Sequence, residues 1–191
     1  MIQTLGYKIF PNKQQWDLLK RQSIEDGAIY MWAFNKLRDQ MIKTHKFKDT
    51  CDMIDEYCKD KKEKKPYINE VNRDLLGYAI DRAKNDVLVY VNQKKKIPSA
   101  TPKHELYFTI NAYLYISREH KILIPRLTYY SDHLKREINW ITLDYNCNLK
   151  SGTIVDYAIV KLLPEGFGKT QWYLILTYDP DNIQRQTKPK S

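Results

Sequence analysis

The sequence predicts an α+β protein in which one strand, a block of helices and a run of strands follow in that order. Three observations predict it. Val71, Leu75, Ala79, Ala83, Val87 and Val91 recur every fourth residue, and Leu76, Ile80 and Tyr90 widen the stripe; this is the spacing of one buried helix face. Near the start, Leu5, Tyr7 and Ile9 alternate with Thr4, Gly6 and Lys8, the period of a strand. Beyond Pro102 the helical period gives way to short β-rich runs. A first strand cut off by helices finds its partners among the later strands. The chain therefore reads as a β-barrel or curled sheet with a helical domain inserted near its start.

The first strand covers residues 2–10, and Pro11-Asn12 stops it. Asn12 can cap a helix over 13–24, which places Trp16, Leu19 and Ile24 near one face. Asp26-Gly27 reads as a turn. A second helix follows over 28–43, with the stripe Tyr30, Met31, Phe34, Leu37, Met41 and Ile42. Asp49 or Thr50 caps a weaker helix carrying Cys51, Ile54, Tyr57 and Cys58. Residues 59–65, KDKKEKK, read as a solvated loop. The long helix then runs over 70–93, capped by Asn69 or Asn72 and bounded by Pro66 and Pro98. Lys94, Lys95 and Lys96 close it where the helix dipole favours cations. Gly77 inside it marks a close approach of another backbone or is simply tolerated, at about 1 kcal/mol relative to Ala. Strands are expected over 105–110, 112–117, 122–124, 134–143, 153–163 and 170–178. Residues 118–121 form a polar turn and 164–168 a hairpin loop. In 134–143 the alternating set is Leu134, Arg136, Ile138, Trp140 and Thr142.

The 191 residues suffice for a sizeable core, and 42% of them are hydrophobic. The net charge is +9, spread along the chain, so a basic face must be assembled by folding. A polyanion is the natural partner. Cys51, Cys58 and Cys147 form no C-x-x-C, which argues against a disulfide framework and a four-ligand zinc site. Cys51 and Cys58, seven apart, read as small core residues. No signal peptide or membrane-length apolar run is visible, so a cytoplasmic protein without membrane contact is expected.

Several stretches resemble TnpB proteins, the RNA-guided nucleases of insertion sequences ancestral to type V CRISPR effectors. The opening YKIFPNKQQ, residues 7–15, with Leu18-Leu19, is similar to the family's opening. Residues 30–34, YMWAF, resemble its Y-N-W-A-L, with Met31 replacing Asn. Residues 71–91 look like its long helix and 94–103 like its basic, proline-containing exit. ILIPRL at 122–127 and WYLIL at 172–176 resemble its i-x-l-P-k-l and final strand. The resemblance implies a split, wedge-like oligonucleotide-binding-type β-barrel at 1–11 and 104–180. It also implies a helical recognition lobe at 12–103, with a flexible tail at 181–191. The family's barrel is followed by a RuvC-like nuclease with metal-binding carboxylates. Here DPDN, with Asp179 and Asp181, lacks the glycine-flanked strand that would carry the first of them and reads as a turn.

The expectation is therefore a non-catalytic, cofactor-free nucleic-acid-binding protein. It would bind structured guide RNA and duplex DNA, and act as an inhibitor or regulator of a CRISPR or TnpB effector. The alternatives are a module that binds and blocks the effector protein, or the binding part of a split or truncated transposon nuclease. Lys94, Lys95, Lys96 and Lys103 are the leading phosphate contacts. Arg126, Lys135 and Arg136 border barrel strands and would line an RNA groove. By the resemblance, Arg73 falls near positions that read the DNA motif beside the target, although Gly77 stands where the family often has Gln. Tyr107, Phe108, Tyr113 and Tyr115 offer stacking faces or plain packing, and Trp32, Trp140 and Trp172 read as core. His45, His104, His120 and His133 are scattered through polar segments.

Overall fold

The computed structural model describes residues 3–65, 68, 71–102, 105–110, 114–124, 140–147, 149, 154–155 and 158–178. The elements are β1 (Gln3–Phe10), α1 (Lys13–Thr44), α2 (Thr50–Lys61), α3 (Arg73–Asn92), β2 (Tyr107–Ile110), β3 (Leu114–Ile116), β4 (Lys121–Leu123), β5 (Trp140–Leu143), β6 (Ile154–Val155), β7 (Ala158–Gly166) and β8 (Lys169–Tyr178). The chain is a mixed α+β protein with an antiparallel sheet, divided into two compact units. One joins Met1–Lys20 to Thr109–Ser191; the other is Arg21–Phe108. The first boundary falls inside α1.

The sheet order is β2-β7-β8-β1-β5-β4-β3-β6. The first strand does find later partners. β1 pairs with β8 along one edge, Leu5 opposite Leu176 and Tyr7 opposite Leu174. Its last residues pair with β5 on the other edge, Ile9 opposite Leu143. No described ladder joins the two outer strands to each other. Alternation sets the buried face: Ile9, Ile122, Ile141, Leu143, Leu174 and Leu176 are fully buried. Trp172 is also buried and meets the ring of Trp16 edge-on at 5.9 Å. β7 continues through Pro164 to Gly166, so the hairpin loop shrinks to Phe167-Gly168. Gly166 and Gly168 take positive φ there, at 90° and 72°, which glycine adopts without steric cost.

The second unit packs the later part of α1 against α2 and α3. Ile29, Phe34, Leu37, Met53, Tyr57, Leu76, Ile80, Ala83 and Val87 lie in one core cluster. Asn72 caps α3, its side chain accepting from the amides of Asp74 and Leu75. Asp49 caps α2 by accepting from Cys51 and Asp52. Ile68 is buried in the same cluster, ahead of α3.

Several expectations are corrected. No turn interrupts the helix at Asp26-Gly27; α1 runs unbroken for 32 residues. A single glycine costs a helix only about 1 kcal/mol, and Asp26 is held inside by Arg82. Cys51 is exposed and Cys58 half-buried, because α2 turns Met53, Ile54 and Tyr57 inward instead. Ile24, Ile42 and Val91 point to solvent at the margins of their stripes. Lys65, placed in a solvated loop, reaches back to pair with Glu25 at 2.7 Å. Gly77 faces side chains, not backbone: a Cβ there would lie 3.5 Å from Ile54 Cδ1 and 3.7 Å from Thr50 Cγ2.

Candidate nucleic-acid interface

The end of α3 is built as a fixed ledge. The Lys94 amide donates to the Val91 carbonyl at 3.0 Å, and the Lys95 amide to the Tyr90 carbonyl at 2.9 Å. This pair of bonds is a Schellman closure, which satisfies carbonyls that a helix end leaves open. Its left-handed position is normally glycine; here Lys94 occupies it with φ of 53°. The chain beyond is pinned to α1. The Ala100 amide donates to Asn35 Oδ1 at 3.0 Å, and Arg38 Nη1 donates to Ser99 Oγ at 2.7 Å. Ile97 and Ala100 pack against the core. Lys94, Lys95 and Lys96 are therefore exposed on a segment anchored on both sides.

Arg73 is not part of this ledge. It opens α3, whose 20 residues rise about 30 Å, so the two basic features stand at opposite ends of one helix. Arg73 also pairs with Asp55, which matches its charge locally. Lys103, Arg126, Lys135 and Arg136 lie outside the described residues, as does Tyr113, while of Tyr115 only the backbone is described. Phe108 is fully buried and so presents no stacking face. Tyr107 is half-buried, with the Arg82 guanidinium 5.3 Å from its ring centre.

Trp140 corrects the expectation in the other direction. It is half-buried and borders an open groove of about 980 Å³ within the first unit. Phe10, Asn12, Gln14, Arg118, Lys121 and Thr142 also line it. The start of α1 forms one side through a reciprocal cap. The Asn12 amide donates to Gln15 Oε1 and the Gln15 amide to Asn12 Oδ1, both at 2.9 Å. Gln15 Nε2 then donates to the Trp140 carbonyl at 2.7 Å, tying the helix start to β5. On the other side Ser117 Oγ accepts from the amides of Glu119 and Lys121, each at 3.2 Å, and so shapes the β3–β4 turn.

One polar cluster was not expected from the sequence. Gln22, Ser23, Glu25 and Asp26 are all buried along α1. Tyr57 Oη donates to Glu25 Oε2 at 3.1 Å, beside the Lys65 contact. Tyr30 Oη donates to Asp86, and burial first, then that bond, pushes the Tyr30 hydroxyl far above its ordinary pKa. The space around Asp26, Arg82 and Tyr107 is almost filled, at about 10 Å³. The cluster is a packed joint rather than a chamber. Its signal was the group of polar residues Gln22, Ser23, Glu25 and Asp26, broken by Ile24 alone, between two apolar stripes. Among the described residues, no group of three or more His, Cys, Asp or Glu is placed to hold a metal ion. Among them, too, no helix is long and apolar enough to cross a membrane.

Fold and surface together define a mixed α+β protein that carries a basic ledge on its helical unit and an open aromatic groove on its sheet unit. No protein-family model matches the chain, and no curated protein sequence matches it.

Proposed function

We propose that the chain is a non-catalytic nucleic-acid-binding protein derived from a TnpB-like effector. It binds guide-type structured RNA, with duplex DNA as a second ligand, and in this way inhibits or regulates a CRISPR or TnpB effector. In this reading the sheet unit corresponds to a wedge-like, oligonucleotide-binding-type barrel and the helical unit to a recognition lobe. The order of strand, helices and strands supports that correspondence, as does the pairing of β1 with both β8 and β5.

The observation that carries the reading is the ledge at the end of α3. Three consecutive exposed lysines stand on a segment fixed by the Schellman closure, Asn35 and Arg38. Fixed cations neutralise phosphates without ordering a loose loop, and they release counterions on binding. The test is fluorescence anisotropy of a labelled stem-loop RNA across a salt series. Replacing Lys94, Lys95 and Lys96 together by Gln should weaken binding more than tenfold at low salt. It should also lower the log–log salt slope by about two to three, near 0.7–0.9 per phosphate contact. No binding by the natural chain at low salt, or an unchanged slope in the variant, refutes the reading.

One observation favours a protein partner as the second reading. Leu88, Val89 and Val91 are substantially exposed on α3 just before the lysines. Capture of an effector that survives RNase treatment would support that reading against the first.

A further inference from the structure

We propose that the open sheet face formed by β1, β5 and β4 takes an unpaired nucleotide of a single-stranded polynucleotide. Its base would lie against Phe10 and its phosphate toward Lys121 and Arg118. The inference rests on the nucleic-acid reading above but uses a different site, a different unit and a different kind of contact.

Strand register supplies the geometry. Phe10 on β1 is opposite Thr142 on β5, and Thr142 is in turn opposite Lys121 on β4. Residues directly opposite one another share a face, so Phe10, Thr142 and Lys121 form one row across three strands. Two strand spacings set the ends of that row about 10 Å apart. That span suits a base at one end and a phosphate within reach of a long lysine side chain at the other. Trp140 lies two residues along β5 from Thr142 and therefore on the same face, giving a second aromatic beside the row. The reverse face of these strands is closed: Ile9, Ile122, Ile141 and Leu143 are fully buried, which holds the platform in place.

Exposure and charge fit the ligand. Phe10 keeps 46% of its surface exposed although it ends a strand whose neighbour Ile9 is buried. Glu119 pairs with Lys121 at 3.6 Å, but both side chains are well exposed, and such a pair is weak enough for a phosphate to displace. Arg118, exposed on the same turn, adds a second cation. A groove of about 980 Å³ has room for a nucleotide. Aromatic faces stack any base, but bases inside a duplex are already stacked, so this site selects single strands.

The test compares a labelled oligouridylate with a blunt duplex of similar length, both by anisotropy at low salt. Phe10→Ala should weaken single-strand binding about tenfold, within the range for one stacked base, and leave duplex binding within about twofold. Phe10→Tyr should restore it, and Lys121→Gln should weaken it. Ultraviolet crosslinking of the natural chain to 4-thiouridine RNA should label the peptide holding Phe10 or the one holding Trp140, whatever the stability of the variants. Unchanged single-strand binding by Phe10→Ala, equal losses for strand and duplex, or crosslinks only elsewhere would overturn this site while leaving the lysine ledge standing. If the natural chain binds neither probe, both readings fall together.

Discussion

Arg82 on α3 donates from Nη2 to Asp26 Oδ1 on α1 at 2.5 Å, and Asp26 is 1% exposed. The guanidinium also lies over two rings, 5.6 Å from the centre of Tyr30 and 5.3 Å from that of Tyr107. A buried carboxylate in mid-helix is tolerable only with such a partner. Arg82→Ala should therefore cost about 3 kcal/mol or more in urea unfolding, since the carboxylate loses its guanidinium. The double variant Asp26→Leu with Arg82→Met should recover most of that loss. A single variant within about 0.5 kcal/mol of the parent, the range of ordinary surface changes, would show that the pair does not hold the helices together.

Gly77 offers the opposite sign. A methyl added there would stand at ordinary van der Waals distance from the nearest side-chain atoms, at 3.5 and 3.7 Å. Gly77→Ala should raise stability by about 1 kcal/mol, because the unfolded chain loses freedom and the helix loses nothing. A lowered thermal midpoint would mean that α2 and α3 cannot accept the methyl.

Lys94 separates stability from binding in one position. Its left-handed backbone costs a non-glycine residue about 1 kcal/mol. Lys94→Gly should therefore stabilise the fold while weakening RNA binding and reducing the salt slope by nearly one. Denaturation and anisotropy on the same preparation check both halves. A variant that is more stable and binds equally well would remove Lys94 from the interface.

The three thiols should react at different rates. Cys51 is exposed. Burial pushes the thiols of Cys58 and Cys147 above their ordinary pKa, so less thiolate is present at mildly alkaline pH. Titration with a chromogenic disulfide should show one fast thiol and two slow ones in the native protein, and three fast ones in denaturant. Raising the pH should speed the slow pair. Fast reaction of Cys147 in native buffer would contradict its burial.

Local rules carried part of this fold into view. The period of α3, its cap at Asn72 and the place of its lysine exit follow from nearest neighbours along the chain, and so does the alternation that makes β1 a strand. What depended on distant partners was not legible. Asp26-Gly27 has the composition of a turn, yet Asp26 is helix interior and pairs with Arg82, on another helix. In β5 the sequence alternation reads through Trp140 and Thr142, whereas Ile141 and Leu143 are the buried pair. Either set of a two-fold alternation can face inward, and pairing with Ile9 and Ile122 decides which. The groove beside Trp140 was hidden for that reason. The ledge was legible as charge but not as a Schellman closure pinned to α1.

The pairing of β1 with β8 sets an order of assembly during synthesis. A ribosome releases residues 21–108 as one uninterrupted stretch, so that unit has all its parts early. The first strand must wait, with the edge meant for Leu174 and Leu176 bare, until residues 169–178 have emerged. Unpaired strand edges invite other chains. Premature termination before the β7–β8 hairpin would thus leave a nascent product whose first strand is a hazard for aggregation.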